Sequence, residues 1–273
     1  MSIHNVPMPD LQIVPTASVL AHEDHDIQRA IPLIERIGHE STMINPPLVA
    51  PLDNTRYVVL DGANRVYAFT QLGIPHILVQ VAPYDSGLVE LETWHHVICG
   101  WDADEFIADI SQLPELLMSE GNRTTPLPVA TIHTRGHRTV HLTLPAESLS
   151  TRNILMNHIV RVYQAHATLQ RTNLDDLDAI WHLHPTGQAV IMFRPYSPVE
   201  ILQSAAQNTP LPPGVSRHIV HGRAIRVNYP MERLRDTTVS LEQKNAVLLD
   251  WMREKVAQRQ VRYYAEATYQ FDE

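Results

Sequence analysis

The chain has 273 residues, of which 44% are hydrophobic, and a formal net charge of −9 at pH 7. This composition supports a buried core and excludes a disordered or fibrous protein. Binding to a nucleic-acid backbone needs clustered lysine and arginine, so the acidic balance predicts no nucleic-acid partner. No apolar run reaches the about 18 residues of a membrane span, the first residues show no secretion signal, and Cys99 is the single cysteine. These features predict a cytoplasmic protein with no membrane partner and no internal disulfide.

Apolar periodicity predicts the secondary structure in chain order. In the first part of the chain, strands are predicted over 11–14, 57–60, 77–81 and 93–99, and helices over 27–37, 65–72 and 102–117. A hairpin is predicted over 129–144, followed by helices over 151–170, 197–206 and 241–258 and by strands over 189–193, within 216–227 and over 261–269. Ser197 with Glu200 three residues later has the pattern of a capping box at the start of a helix.

The mixture of helices and strands predicts an α+β fold. Glycine, threonine and proline concentrate at 121–128, which predicts a domain boundary near residue 125. Lys244 and Lys255 are the only lysines among the 21 basic residues. Any phosphate recognition must therefore depend mainly on arginine side chains, helix N-termini and backbone amides.

The strongest local pattern is the run LDGANRVYAF at 60–69, in which a predicted buried strand leads through a turn into a helix. Gly62 permits a tight turn and a close approach of a ligand. The first amides of the helix and the Arg65 guanidinium suit an anion such as phosphate. Asp61 suits a metal ion or a substrate hydroxyl. The alternative is an ordinary Asp-Gly turn whose aspartate caps the helix.

A strand that ends in D-G-x-x-R and is followed by a helix is similar to the signature of the ParB/sulfiredoxin-like superfamily. The segment Asn45-Pro46-Pro47 before this strand also resembles that superfamily. Sulfiredoxins carry a reactive cysteine where this chain has Ala63, which argues against sulfur chemistry. ParB partition proteins continue into a basic helix-turn-helix domain, and this acidic chain shows no convincing one.

The remaining matches are to the free serine kinases of that superfamily, a family with archaeal ADP-dependent members and a bacterial member in staphyloferrin B biosynthesis. His22-Glu23 resembles the family's "HE" motif, and Thr93-Trp94 resembles its "TW" pair. The segment 213–218 (PGVSRH) resembles a late "P-x-x-T-R-H" segment, and Gly222-Arg223 extends the similarity. These motifs follow one another in the family's order.

The resemblance implies transfer of a phosphoryl group from ATP or ADP, with Mg²⁺, to the hydroxyl of L-serine, giving O-phospho-L-serine for cysteine or siderophore (2,3-diaminopropionate) synthesis. It implies a ParB/sulfiredoxin-like nucleotide-binding domain over 1–125, an α+β substrate-binding lobe over 126–273, and an active site in the cleft between them. The sequence is compatible with either a monomer or a homodimer.

The resemblance also assigns roles to individual residues. Glu23 is the general base, and Asp61 orients the serine hydroxyl or holds Mg²⁺. The nucleotide phosphates are assigned to Gly62, Ala63, Asn64 and Arg65, and serine is assigned to Thr93, Trp94, Ser216, Arg217 and His218. Asn64 departs from the family, which usually has histidine there, and an amide cannot carry charge. The alternatives are a nucleotide- or metabolite-sensing regulator without turnover, and a nucleotide hydrolase or a kinase for another small hydroxylated acceptor.

Overall fold

The computed structural model describes residues 7–24, 27–121, 127–145 and 147–264. The chain has a mixed α+β fold, as predicted, and divides into two compact units. The first unit is Met1–Leu20, His25–Glu90 and Ile219–Glu273, and the second is Ala21–Asp24 and Leu91–His218. These units do not coincide with the predicted domains, because the chain beyond residue 218 returns to the first unit instead of continuing the second.

The first unit contains a five-stranded mixed sheet. Its strands, in spatial order, are β1 (Asp10–Pro15), β6 (His76–Val81), β4 (Leu48–Pro51), β5 (Tyr57–Asp61) and β2 (Val19–Ala21). β4 runs parallel to β6 and antiparallel to β5. Because these three strands are interior and buried, they read in the sequence as continuous apolar runs rather than as alternating ones. A short second sheet pairs β3 (Thr42–Met43) with β15 (Tyr229–Pro230).

The core of the first unit combines residues that are distant in sequence. Ile13, Phe69 and Leu78 are at most 1% exposed, and they belong to the same buried cluster as Leu248. Asn245 fastens the late helix to the first strand, since its Oδ1 accepts from Ile13 N and its Nδ2 donates to Ile13 O, both at 2.8 Å. The early and late parts of the chain therefore form one core.

The second unit contains a six-stranded antiparallel sheet. Its strands, in spatial order, are β12 (Thr168–Thr172), β8 (His95–Cys99), β13 (Gly187–Phe193), β10 (Ala130–Thr134), β11 (Thr139–Thr143) and β9 (Leu117–Glu120). β10 and β11 form the predicted hairpin. Outside this six-stranded sheet, the chain also pairs β7 (Val89–Thr93) with β14 (Ser216–Val220) in a two-stranded sheet.

The helices begin at side-chain caps where the sequence supplies them. The helices of the described residues are α1 (Ile27–His39), α2 (Ala63–Gln71), α3 (Ala103–Ile110), α4 (Leu149–Gln164), α5 (Leu177–Leu183), α6 (Pro198–Ala206), α7 (Met231–Arg235) and α8 (Leu241–Ala257). The predicted capping box of Ser197 and Glu200 is present, and Ser240 with Gln243 forms another. None of these helices combines the length and the apolar character that a membrane crossing requires.

Five predicted segments of secondary structure differ from the structure. The predicted strand 93–99 is divided at Trp94, because β7, which pairs with β14, ends at Thr93 and β8 begins at His95. The predicted helices 102–117 and 151–170 end early, at Ile110 and Gln164. The last residues assigned to them, Leu117 and 168–170, belong instead to β9 and β12. Only 216–220 of the segment 216–227 is a strand, and it pairs with β7. Residues 261–264 are not a strand, and 265–269 lie outside the described residues.

Candidate active site

The D-G-x-x-R pattern lies at the end of β5, where Gly62 turns the chain into α2. Gly62 has a φ of 95° in the left-handed region. A Cβ at this position would lie 2.8 Å from Arg65 Nη1 and 3.3 Å from Pro47 Cα. Both the backbone angle and the space therefore require glycine. No side chain caps the start of α2, so the alternative role of Asp61 as a helix cap is not found.

Arg65 is a buried cation at the start of this helix. Its Nη1 is buried without a hydrogen-bond partner among the described residues. Burial lowers the pKa of Arg65 from its ordinary value, and the Asp61 carboxylate partly opposes this effect. A buried donor without a partner is unfavourable until an acceptor reaches it. The helix start and Arg65 together therefore offer a positively polarised place for an anion.

The Asp61 carboxylate is paired with Arg223, a residue that the sequence analysis named only as an extension of the family resemblance. Its Oδ2 lies 2.9 Å from Arg223 Nη2, while its side chain stays 57% exposed. Arg223 also donates to Pro46 O at 2.6 Å and to Gln80 Oε1 at 3.2 Å. These bonds fix the guanidinium beside the turn. Arg223 thus joins Asp61 and Arg65 in the first-unit cluster, and its match to the family's Gly-Arg pair was the signal that pointed to it.

Glu23 belongs to the second unit, where a short segment is tied to Leu211. Leu211 N donates to His22 O and Asp24 N donates to Leu211 O, both at 2.8 Å. Glu23 and Leu211 form an isolated parallel bridge. The backbone on either side of Glu23 is therefore fixed, which limits the positions that its carboxylate can reach.

The carboxylate of Glu23 lies at the end of a hydrogen-bond chain. Ser216 Oγ donates to Glu23 Oε2 at 3.0 Å, and Gly214 N donates to the same oxygen at 3.4 Å. Since the Ser216 proton is directed to Glu23, the 2.8 Å contact between His22 Nε2 and Ser216 Oγ has the histidine as donor. His22 is 1% exposed, and its ring meets His218 edge-on at a centroid distance of 5.3 Å. The chain His22–Ser216–Glu23 therefore orients one oxygen of a carboxylate that is 22% exposed.

Gly214 is positioned by a buried histidine. His96 Nε2 lies 2.8 Å from Gly214 O, and since a carbonyl only accepts, Nε2 carries the proton. Burial lowers the pKa of His96 to about 3, so the ring is neutral and its Nδ1 accepts from Tyr163 Oη at 2.5 Å. Burial also raises the pKa of Tyr163 well above its ordinary value. The pair fixes the loop that donates to Glu23 without itself titrating near neutral pH.

Trp94 and Arg217 form one wall of the same region. The Arg217 guanidinium lies 4.6 Å from the centre of the Trp94 ring and its Nη1 is 2.5 Å from Glu92 Oε2. The Trp94 backbone is bonded to Val215 O, next to Ser216. Arg217 is therefore already neutralised and stacked, which was not expected from its assignment to serine binding.

The predicted residues thus form two clusters within two separate units. Asp61, Gly62, Ala63, Asn64 and Arg65 lie at the β5–α2 turn of the first unit. Glu23, Thr93, Trp94, Ser216, Arg217 and His218 lie in the second. Sequence reasoning missed Glu92 and His96, since neither stands in a recognisable motif. Among the described residues, no group of three His, Cys, Asp or Glu side chains is placed to hold a metal.

Comparison with known proteins supports the resemblance. No protein-family model matches the chain. An ATP-dependent L-serine kinase of Staphylothermus marinus is 29% identical over 112 residues, and this match spans 41% of each chain. The alignment therefore covers less than half of that relative.

Solved structures match over a larger share. SbnI with a C-terminal truncation, from Staphylococcus aureus, aligns with a TM-score of 0.71 and 20% identity, over 91% of this chain and 97% of that one. A glutamate-to-alanine variant of a free serine kinase, solved in complex with AMP, aligns with a TM-score of 0.71 and 14% identity, over 85% and 97%. These likenesses establish the fold. The free serine kinases are therefore the family that this chain resembles both in sequence and in fold.

Proposed function

We propose that this chain is a free L-serine kinase, which transfers a phosphoryl group from ATP or ADP to the hydroxyl of L-serine. The observation that carries the proposal is the setting of Glu23. Its Oε2 is held by Ser216 and Gly214, while none of the described residues bonds to Oε1. A carboxylate that is fixed yet partly open to solvent suits removal of a proton from an incoming hydroxyl. The likeness to an ATP-dependent L-serine kinase and to free serine kinases supports the same reaction.

The β5–α2 turn suits the nucleotide side of this reaction. Phosphoryl transfer depends mainly on positioning and on positive charge near the phosphates. Arg65 provides a buried guanidinium with an unused donor, and the uncapped start of α2 adds its dipole. We assign the phosphates to the segment 62–65, in which Asn64 contributes a neutral donor where the family usually has histidine.

Asp61 is the carboxylate that fits Mg²⁺ at this turn. Mg²⁺ is commonly bound by one or two carboxylates together with substrate phosphates, and it keeps several waters. Asp61 is 57% exposed and lies beside the proposed phosphate site, so it meets this requirement. When bound there, the ion would neutralise charge on the phosphates. Arg223 holds the Asp61 carboxylate in place through the pairing at Oδ2.

The second-unit cluster suits the acceptor. We propose that Glu23 takes the proton from the serine hydroxyl, that Ser216 and His22 orient Glu23, and that Trp94 with Thr93 and His218 bounds the serine. The product would enter cysteine or siderophore (2,3-diaminopropionate) synthesis in the cytoplasm. On this proposal, the D-G-x-x-R turn belongs to a ParB/sulfiredoxin-like nucleotide-binding region.

Phosphorus NMR tests this proposal directly. The purified protein is incubated with Mg²⁺, L-serine and either ATP or ADP. We expect a phosphomonoester signal that requires serine, and comparison of the two nucleotides identifies the donor. Glu23→Gln keeps the shape of the side chain but cannot accept the proton, so this variant should give no phosphoserine while binding nucleotide as the wild type does.

Two outcomes would contradict these assignments. If wild-type protein that binds nucleotide gives no phosphoserine with either donor, the kinase proposal is wrong. Asn64, the departure from the family at the phosphate site, would then point to a nucleotide-sensing regulator. A Glu23→Gln variant with wild-type turnover would refute the assignment of the base.

A further inference from the structure

Arg171, a residue of the edge strand β12 that no motif singled out, lies directly against Gly214. A Cβ on Gly214 would be only 2.1 Å from Arg171 Cζ and 2.4 Å from its Nε. Gly214 also has a φ of 79°. The guanidinium can approach the loop this closely only because position 214 is glycine. Arg171 is therefore seated on the same residue whose amide donates to Glu23.

The sheet positions this guanidinium. Arg171 stands opposite His96 in the antiparallel pairing of β12 with β8. Side chains that stand directly opposite in such a pair lie on the same face of the sheet. His96 bonds to Gly214 O at 2.8 Å while Arg171 lies against the space above Gly214 Cα. Of this cross-strand pair, His96 therefore binds the Gly214 carbonyl, and Arg171 places its positive charge beside the same residue.

The charge of Arg171 has no counterpart in the described part of the chain, in which it forms neither a hydrogen bond nor an ion pair. The neighbouring arginine of the same cluster differs, because Arg217 is paired with Glu92 and stacked on Trp94. The side chain of Arg171 is also exposed. Of these two arginines beside the Glu23 loop, Arg171 alone keeps its donors for an anion from solution.

We propose that Arg171 binds the α-carboxylate of the acceptor amino acid and so makes the site select hydroxyl acceptors that carry a carboxylate. This inference rests on the proposed function. In L-serine, the hydroxyl oxygen and the carboxylate are joined through only two carbons, so the base and the carboxylate ligand must be near neighbours. Gly214 contacts both, with its amide directed to Glu23 and its Cα under Arg171. Arg217 is then a structural part of the wall rather than the carboxylate ligand.

Steady-state kinetics of Arg171→Gln with two acceptors tests the assignment. L-Serinamide has the hydroxyl and amine of serine but no carboxylate. For L-serine we expect KM to rise on the order of 10- to 100-fold, as when a charge-assisted hydrogen bond is lost. For L-serinamide, KM should change by less than about twofold, so the preference for serine collapses. KM for the nucleotide should not change.

Two further variants make the result specific. Arg161→Ala removes an exposed arginine from α4 and should leave both acceptors unaffected. Arg171→Lys keeps the charge and should recover part of the preference for serine. If Arg171→Gln keeps the wild-type KM for serine while the wild type phosphorylates serine, this inference is wrong and the kinase proposal stands. If the wild type makes no phosphoserine, the proposed function fails and the inference fails with it.

Discussion

Removal of the Ser216 hydroxyl tests whether Glu23 must be oriented by its neighbours. Ser216→Ala deletes the 3.0 Å bond to Glu23 Oε2 and the 2.8 Å contact with His22 Nε2. A hydrogen bond to a charged group contributes about 1.5–3 kcal/mol. Because Glu23 is 22% exposed and water can replace part of the bond, we expect a loss of about 1–2 kcal/mol, which lowers kcat roughly 5- to 30-fold.

The measurement is a comparison of kcat and KM for Ser216→Ala and Ser216→Thr, with nucleotide binding measured in parallel. Thr keeps a hydroxyl that can donate to Glu23, so kcat should recover, whereas nucleotide affinity should be unchanged in both variants. Thermal unfolding of each variant checks that a lower kcat does not come from unfolded protein. If Ser216→Ala keeps kcat within twofold of the wild type, Ser216 does not orient the base.

Two further predictions concern Arg65 and His96. Arg65→Ala removes the buried guanidinium and should weaken ATP or ADP binding by at least about tenfold in calorimetry. The control variant Arg253→Ala, at an exposed position of α8, should bind nucleotide as the wild type does. Unchanged nucleotide affinity in Arg65→Ala would contradict the phosphate site. The pKa of His96 is lowered to about 3 in the folded protein and lies near 6.5 in the unfolded protein. Between these pH values the unfolded state therefore binds more protons than the folded state. The free energy of unfolding should fall as the pH decreases from about 6.5 toward 3, by up to about 1.4 kcal/mol per pH unit. Urea titrations should show a shallower dependence for His96→Gln, which cannot titrate, and equal slopes would refute this linkage.

The first-unit turn could be predicted from sequence because its causes are local. A buried strand, an Asp-Gly pair and a helix follow one another within 57–71, and the structure has this order. Gly62 is required by its own backbone angle and by contacts with Pro47 and Arg65, the latter only three residues away. The capping box at Ser197 is local in the same sense, and it too was predicted correctly.

The second-unit cluster could be predicted only in part, since its contacts are distant in sequence. The family motifs pointed to Glu23 and Ser216, although 193 residues separate them. Arg171 directly follows the predicted helix 151–170, and its place in an edge strand results from pairing with β8. Periodicity in one segment carries no information about which strand will lie beside it.

The discontinuity of the first unit has a consequence for folding during synthesis. Ile13 cannot form its two bonds with Asn245 until residue 245 has left the ribosome, and Leu248 belongs to the same buried cluster. The stretch from Leu91 to His218, by contrast, is continuous and emerges as a whole before that point. Domains generally fold as units as they are synthesised. The nascent chain can therefore complete its second unit before α8, which contributes Asn245 and Leu248 to the first unit, has been synthesised.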